Sequence, residues 1–293
     1  IPHPYSNMQE LLDLQAKIAL PLDELLLQNE IALQNCSRTD LFARIDRIMQ
    51  VMQDSITRGL QEEGILPGGL NVHRRAKEMY QRALVYEQKG RFGDALFARM
   101  NAYALATSEE NAAGQMVVTA PTNGAAGVIP AALSYLRNDC KITEPCLRKG
   151  LLVAAMIGFI IKENASISGA ELGCQAEIGS AAAMAAALFA YCNEADINTI
   201  VSAAEIAMEH HLGLTCDPIK GLVQVPCIER NANGVIKAYN AYLLASGRST
   251  KPLIGFDQVI EVMRQIGEDL SEKYKETAKG GLATSANWYN MGS

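Results

Sequence analysis

Aromatic side chains make up only 6% of the 293 residues, and stretches that alternate apolar with polar residues are scarce. With so few aromatic and β-branched residues in such stretches, a large sheet is excluded. No block of Lys or Arg offsets the net charge of −6, which argues against nucleic acid or an anionic membrane as a partner. The longest apolar runs, Leu151 to Ile161 and the Ala-rich Ala181 to Tyr191, are too short to span a bilayer. No secretory leader precedes the first helical segment. The seven cysteines are odd in number and widely spread, unlike a disulfide framework, so a reducing cytoplasm is the expected compartment. Neither a Walker pattern nor G-x-G-x-x-G is present, and there is no internal repeat or low-complexity tract. The chain opens Ile1-Pro-His-Pro-Tyr5 without an initiator Met, as expected of the later part of a longer polypeptide or of a processed one.

What is present is helical periodicity. About half of the residues, 49%, are apolar, enough for a well-buried core. Leu41, Ile45, Ile48, Met49, Met52 and Ile56 trace one buried helix face, with Thr39 as its expected cap. Ile197, Ile200, Val201, Ala204, Met208 and His211 trace a second, between Asp196 and Gly213 as start and stop. Val259, Met263, Ile266, Leu270 and Tyr274 trace a third, opened by Asp257 and closed by Gly280-Gly281. Asn7 and Glu10 have capping-box spacing. The expected fold is all-α, one domain over residues 1–293, with short extended pieces at most, at Met116 to Thr119 and Leu222 to Val225. Ala181 to Ala190 is nearly all small residues, which suits the centre of a helical assembly. Leu66-Pro-Gly-Gly-Leu70 breaks the pattern and reads as a joint within the domain.

Three cysteines stand apart from the rest. Cys174, Cys216 and Cys227 lie in the polar, glycine- or proline-bearing contexts Glu171-Leu-Gly-Cys174, Leu214-Thr-Cys216-Asp-Pro218 and Gln224-Val-Pro-Cys227. A thiol that only fills a core needs no such surroundings, whereas a thiolate that holds a metal or cluster does. The spacing alone, forty-one residues and then ten, leaves buried structural thiols and metal ligands equally open. Three thiolate ligands rather than four would leave one coordination position for a substrate. Cys36, Cys140, Cys146 and Cys192 receive no role.

Other segments add polar groups. Val118-Thr119-Ala-Pro-Thr122-Asn123-Gly124-Ala-Ala-Gly127-Val-Ile-Pro130 is a glycine-bearing loop feeding a helix whose first turn accepts Pro130. Such a loop offers N–H groups, hydroxyls and a favourable dipole to a small carboxylate; a plain connecting turn is the alternative. Lys162-Glu-Asn164-Ala-Ser166-Ile-Ser168-Gly169-Ala-Glu171 gathers an amide, two hydroxyls and carboxylates just before Cys174, consistent with a lined cavity. His210 is the candidate for proton transfer, since histidine titrates near neutrality. His211 continues an apolar stripe and reads as a packed side chain. Lys273, Lys275 and Arg230 are cations able to meet a carboxylate.

Taken together, these segments make the chain resemble the iron–sulfur-dependent L-serine dehydratases, specifically their catalytic (alpha) domain or subunit, from about Ile1 to Ala283. The stretches that carry the resemblance are Glu109 to Gly114, Val118 to Pro130, Asn164 to Gly179, Ala203 to Arg230 and Lys273 to Ala283. The resemblance implies a largely helical domain with a [4Fe–4S] cluster on Cys174, Cys216 and Cys227. It implies conversion of L-serine to pyruvate and ammonia without pyridoxal phosphate, with an open iron acting as Lewis acid on the substrate hydroxyl. Thr119, Thr122, Asn123 and Gly124 are the expected substrate-binding residues, with Asn164, Ser166 and Ser168 on the opposite side and His210 as catalytic candidate.

The chain also departs from the family pattern. Single-chain relatives carry an N-terminal beta domain with a Ser-Ser-Ser-His-Thr segment that contributes a histidine, and no such segment exists here. A beta domain or beta subunit is therefore an expected partner, and association into an oligomer is expected too. Some relatives end in a cysteine able to cap the open iron; here Gly280-Gly-Leu-Ala283 is followed by Thr284 to Ser293, with Tyr289 and no cysteine. His211 stands where many relatives have asparagine. The competing readings are a related cluster-dependent lyase for cysteine or threonine and a non-catalytic cluster-bearing sensor. A pyridoxal-phosphate dehydratase would require a Rossmann-like α/β domain, against which the helical pattern argues, and no basic recognition helix supports a sensor acting on DNA.

Overall fold

The computed structural model describes residues 1–285, and those residues are all-α, with thirteen helices and no strand. In chain order they are α1 (Met8–Ile18), α2 (Leu22–Gln34), α3 (Arg38–Gly59), α4 (Ala76–Gln88), α5 (Phe92–Ala112), α6 (Val128–Asn138) and α7 (Glu144–Asn164). Then follow α8 (Gly169–Leu172), α9 (Ser180–Cys192), α10 (Ile197–Glu209), α11 (Cys227–Ser246), α12 (Phe256–Asp269) and α13 (Leu282–Ser285). Among the described residues no helix is long and apolar enough to cross a membrane.

The small-residue segment forms the centre. Every residue of α9 except Tyr191 is buried, and α6, α7, α10 and α11 pack around it. Small side chains let neighbouring backbones come close: a Cβ on Gly150 of α7 would stand 2.7 Å from Leu188, and one on Gly158 would stand 2.9 Å from Met184 Sδ. The outer helices are amphipathic, as the periodicity predicts. Leu41, Ile45, Met49, Met52 and Ile56 are buried along α3, whereas Ile48, at the edge of that stripe, is 40% exposed.

The helix ends follow local chemistry with three corrections. One is that α12 stops at Asp269, where Leu270 turns to extended backbone, rather than running on through Tyr274 to Gly280-Gly281. Asp196 caps α10 by accepting from the Thr199 N–H at 2.8 Å, and Asn7 caps α1 by accepting from Glu10 N–H at 2.9 Å. The cap of α3 is Ser37 rather than Thr39: its hydroxyl accepts the Asp40 N–H while Asp40 accepts the Ser37 N–H, a complete capping box. Asp257 does not cap its own helix, which begins after Gly255; its two carboxylate oxygens accept the Met8 and Gln9 N–H groups at 2.9 Å each. One acid thus closes the free end of α1 and ties it to α12.

The two expected extended pieces are irregular loops, held by side chains instead of a ladder. Arg58 Nη2 donates to Met116 O at 2.7 Å, and Gln224 Nε2 donates to Pro67 O at 2.5 Å. The second bond docks the Leu66 to Leu70 loop on the segment before Cys227, where Gly68 faces Leu222.

A packing prediction arises where α3 crosses α5. A Cβ on Gly59 would lie 2.4 Å from Ala106 O and 2.7 Å from Ala106 Cα, both backbone atoms. Gly59→Ala forces the helices apart, at a cost of about 1–3 kcal/mol. In a chain of this size that lowers the thermal midpoint by roughly 2–4 °C per kcal/mol, read by calorimetry.

Candidate functional site

The three singled-out cysteines are all buried and all free. Cys174 follows Gly173, which ends α8 with φ 79°, a left-handed conformation that costs glycine little. A Cβ there would also strike Leu214 O at 2.8 Å, so glycine lets this turn press against the 214 segment. Gln175, fully buried, fixes the contact: its Nε2 donates to Leu172 O and Met263 O at 2.8 and 3.0 Å, and its Oε1 accepts from Gly213 N–H at 2.9 Å. A π-helical turn, Gln175–Gly179, then runs directly into α9. Cys216 lies on extended backbone, with its N–H bonded to Tyr274 O at 2.8 Å and its carbonyl accepting from Glu276 N–H at 2.7 Å. Cys227 is the first residue of α11, at the positive end of that helix's dipole.

The tightest grouping contains a residue the sequence reading passed over. Ligand atoms of Cys174, Glu177 and Cys216 all lie within 4.8 Å of one another. Cys216 Sγ donates to Glu177 Oε2 at 3.8 Å. Cys227 lies outside this 4.8 Å group, yet close enough that the charges of Cys174 and Glu177 raise its thiol further, beyond the effect of burial. A Cys-x-x-Glu spacing on one helical turn was the available sign of Glu177. The adjacent Cys216 thiol, with the Arg230 guanidinium nearby, lowers Cys174 despite its burial. The neighbouring Cys174 and burial push Cys216 up, and burial pushes Glu177 up. Arg230 is anchored to Thr215 O at 2.5 Å and Asp217 Oδ1 at 3.2 Å.

Two glycines let the backbone close on this carboxylate. A Cβ on Gly169 would come 2.6 Å from Glu177 Oε2 and 3.1 Å from Cys216 Sγ, and one on Gly124 would come 3.0 Å from both Glu177 oxygens. The Thr122 hydroxyl is buried and makes no well-formed hydrogen bond. Several unpaired thiols and a carboxylate thus converge with a single guanidinium, in a cradle that added side chains would fill. That donor set fits a cationic metal or an iron–sulfur cluster.

Of the other expected site residues, some lie against this group and others do not. Gly124 touches Glu177, and Thr119 Oγ1 donates to Asn123 Oδ1 at 2.6 Å on the exposed side of the same loop. The loop is held by Asn231, whose Oδ1 accepts Gly127 N–H at 2.8 Å and whose Nδ2 donates to Gly124 O at 2.7 Å and Cys227 O at 2.9 Å. Ser166 donates to Glu171 and accepts from Ser168 N–H, and this turn delivers Gly169 to Cys216. Asn164 is exposed, with its amide donating to Ser6 O and Ile160 O, both at 2.8 Å. Asp217 draws the C-terminal segment over Cys216: its Oδ2 accepts Leu282 N–H at 2.7 Å, and Gly281, at φ 60°, has no room for a Cβ beside it. Tyr289 and the rest of the tail, where the cysteine of some relatives would fall, lie outside the described residues.

The two histidines differ. His210 is exposed at the end of α10, edge-on to His211 with ring centroids 6.0 Å apart. His211 is buried and lies 2.6 Å, through Nδ1, from Ala207 O, with Nε2 unpartnered. Burial lowers it from 6.5 to about 4, so it is neutral at pH 7. Its folded value lies below its unfolded value, so stability is full above pH 6.5 and is lost as pH falls toward about 4. The loss from this residue is on the order of 3 kcal/mol. Urea midpoints should fall across that window, and His211→Asn should flatten the dependence.

Fold and site together define an all-α protein with a buried thiol–carboxylate group able to bind a metal. A family model described as Serine dehydratase alpha chain matches residues 17–283. The chain belongs to that family. It is similar to L-serine dehydratase TdcG of Escherichia coli K12, 46% identical over 284 residues that cover 97% of this chain and 62% of that protein. It is 47% identical to L-serine dehydratase 2 of the same organism, with the same coverage. It is 48% identical to the L-serine dehydratase of Mycobacterium tuberculosis, covering 96% of this chain and 61% of that protein. The chain therefore spans about three fifths of the length of these curated relatives.

Proposed function

We propose that this chain is the catalytic alpha part of an L-serine dehydratase and that Cys174, Cys216 and Cys227 hold a [4Fe–4S] cluster. The reading is carried by one observation: free, buried thiols from segments far apart in sequence converge on Glu177 beside a guanidinium. When bound, such a cluster supplies an iron without a protein ligand, a Lewis acid for the departing hydroxyl.

The residues of the chain do the rest. Arg230 offsets negative charge at Cys174 and keeps the loop of Cys216 in place through Thr215 and Asp217. Thr119, Thr122, Asn123 and Gly124, at the approach to α6, bind the carboxylate of L-serine through hydroxyl, amide and backbone N–H groups. Ser166 and Ser168 line the other wall, and Asn164 orients that wall through Ser6 and Ile160. Loss of the α-proton and the β-hydroxyl releases water and aminoacrylate, which hydrolyses to pyruvate and ammonia. His210 is solvent-accessible and takes up or hands on a proton at the rim. A beta domain or beta subunit, consistent with the greater length of the relatives, completes the site. The cytoplasm, where thiols stay reduced, is the compartment that suits these cysteines, and association of chains is part of the same reading.

The test is anaerobic purification with iron and sulfide analysis, followed by a serine-to-pyruvate assay with and without a beta-domain partner. Iron and sulfide bound in equal amounts, with turnover once the partner is added, are the expected results. A chain that takes up no iron under anaerobic reconstitution would sink the proposal.

A further inference from the structure

Two cysteines that take no part in the site above meet at the other end of α9. Cys146 is the third residue of α7, and Cys192 is the last residue of α9. The two helices run side by side in opposite directions, with Gly158 against Met184 toward one end and Gly150 against Leu188 and Cys192 toward the other. This register sets Cys192 Sγ 2.8 Å from where a Cβ on Gly150 would stand, and Cys146 lies one turn before Gly150 on the same face of α7, so the two thiols are neighbours, and neither is in a disulfide. Cys192 is buried, whereas Cys146 is half-buried and reachable from solvent. The thirteen residues of α9 separate this pair from the π-helical turn of Glu177 by roughly 20 Å at the helical rise.

The pair is chemically asymmetric. Cys146 sits in the first turn of α7, at the positive end of the helix dipole, which favours a thiolate. Lys149 is one turn on, shared with Asp23 at 2.8 Å, and Glu194 opposes it. The neighbouring Cys192 thiol outweighs burial and lowers Cys146 to about 7. Cys192, beside it and buried, stays protonated. One thiol is thus poised to attack and its neighbour to resolve.

We propose that Cys146 and Cys192 form a reversible thiol–disulfide site, with a low-molecular-weight disulfide such as oxidised glutathione as the oxidant. The Cys146 thiolate attacks one sulfur of oxidised glutathione, the glutathione S–S bond breaks, and one glutathione thiolate leaves. Cys192 then loses its proton and attacks Cys146 Sγ, expelling the second glutathione thiolate. Two protein thiols are oxidised, one glutathione disulfide is reduced to two thiols, and the protons released pass to those thiols. The bond that forms staples the start of α7 to the end of α9.

The full chain, held anaerobically, is treated with oxidised glutathione, alkylated with iodoacetamide and mapped by non-reducing peptide mass spectrometry. The expected result is a Cys146–Cys192 link that dithiothreitol reverses, lost completely in Cys146→Ser and in Cys192→Ser and unchanged in Cys140→Ser. A persistent glutathione adduct on Cys146, no link at all, or a link to Cys192 that survives Cys146→Ser through Cys140 each overturns the proposal. A second measurement needs no variant: at pH 7 iodoacetamide should modify Cys146 on the order of tenfold faster than Cys140. Faster reaction at the more exposed Cys140, whose thiol burial pushes up, counts against it.

Discussion

Cys216→Ala yields a folded chain that neither binds iron nor, with its beta partner, makes pyruvate from serine. The backbone at this position does not depend on the thiol: the N–H is bonded to Tyr274 O and the carbonyl to Glu276 N–H, whatever the side chain. Alanine removes one buried sulfur, a loss of about 1 kcal/mol, which in a chain of this size shifts the thermal midpoint by only roughly 2–4 °C. The chemical loss is far larger. Cys216 is the sulfur that contacts both Cys174 and Glu177, so without it the donor set loses its middle member. Visible absorbance from iron–sulfur charge transfer, bound iron and sulfide, and turnover should disappear together. Cys192→Ala serves as the comparison, since it also removes a buried thiol but lies at the far end of α9, and it should retain iron. A Cys216→Ala protein with full absorbance and full activity would refute the ligand assignment. Retained iron without turnover would instead place Cys216 in catalysis.

How far the sequence predicts this arrangement depends on the range of the contact. The all-α fold is legible because helical periodicity and caps are local: Asp196 is three residues from the N–H it caps, and the small-residue run of α9 already marks a buried centre. The cap of α3 was within reach for the same reason, because Ser37 and Asp40 have the spacing of a capping box and Thr39 does not. Asp257 was not, since the N–H groups it accepts lie 249 and 248 residues away. Glycine and proline neighbours set Cys174, Cys216 and Cys227 apart in the sequence, and all three are buried. Their geometry is not legible there, because Cys174 reaches Cys216 only through Gln175, which bridges three segments. Glu177 is legible as a turn-mate of Cys174, but its burial depends on Gly124 and Gly169, glycines that sequence spacing does not bring together. Cys146 and Cys192 show the same limit: each looks ordinary in its own context, and only the antiparallel register of α7 and α9 joins them.

Asn231→Ala should be the most damaging single change that touches no candidate ligand. Asn231 is 1% exposed and uses its whole amide: one acceptor for Gly127 N–H and two donors for Gly124 O and Cys227 O. These three partners belong to the approach to α6 and to the first turn of α11, so a single side chain sets the loop at residues 119–127 against the helix that begins with Cys227. Alanine leaves those backbone groups buried without their partner. Each unsatisfied group costs about 1–3 kcal/mol, while Cys227 O keeps its place as an acceptor in the first turn of α11. The expected loss of stability is therefore roughly 3 kcal/mol, read as a lower urea midpoint with an unchanged slope. Asn231→Asp separates the two halves of the amide. It retains an acceptor for Gly127 N–H but faces Gly124 O and Cys227 O with an oxygen, so it should destabilise about as much as alanine rather than rescue. A loop freed in this way also predicts a kinetic signature in the protein joined with its beta partner: KM for serine rises more than kcat falls, because Thr119, Asn123 and Gly124 lose their fixed position. An Asn231→Ala chain with wild-type stability and KM would show that the loop is held by its own turn, without α11.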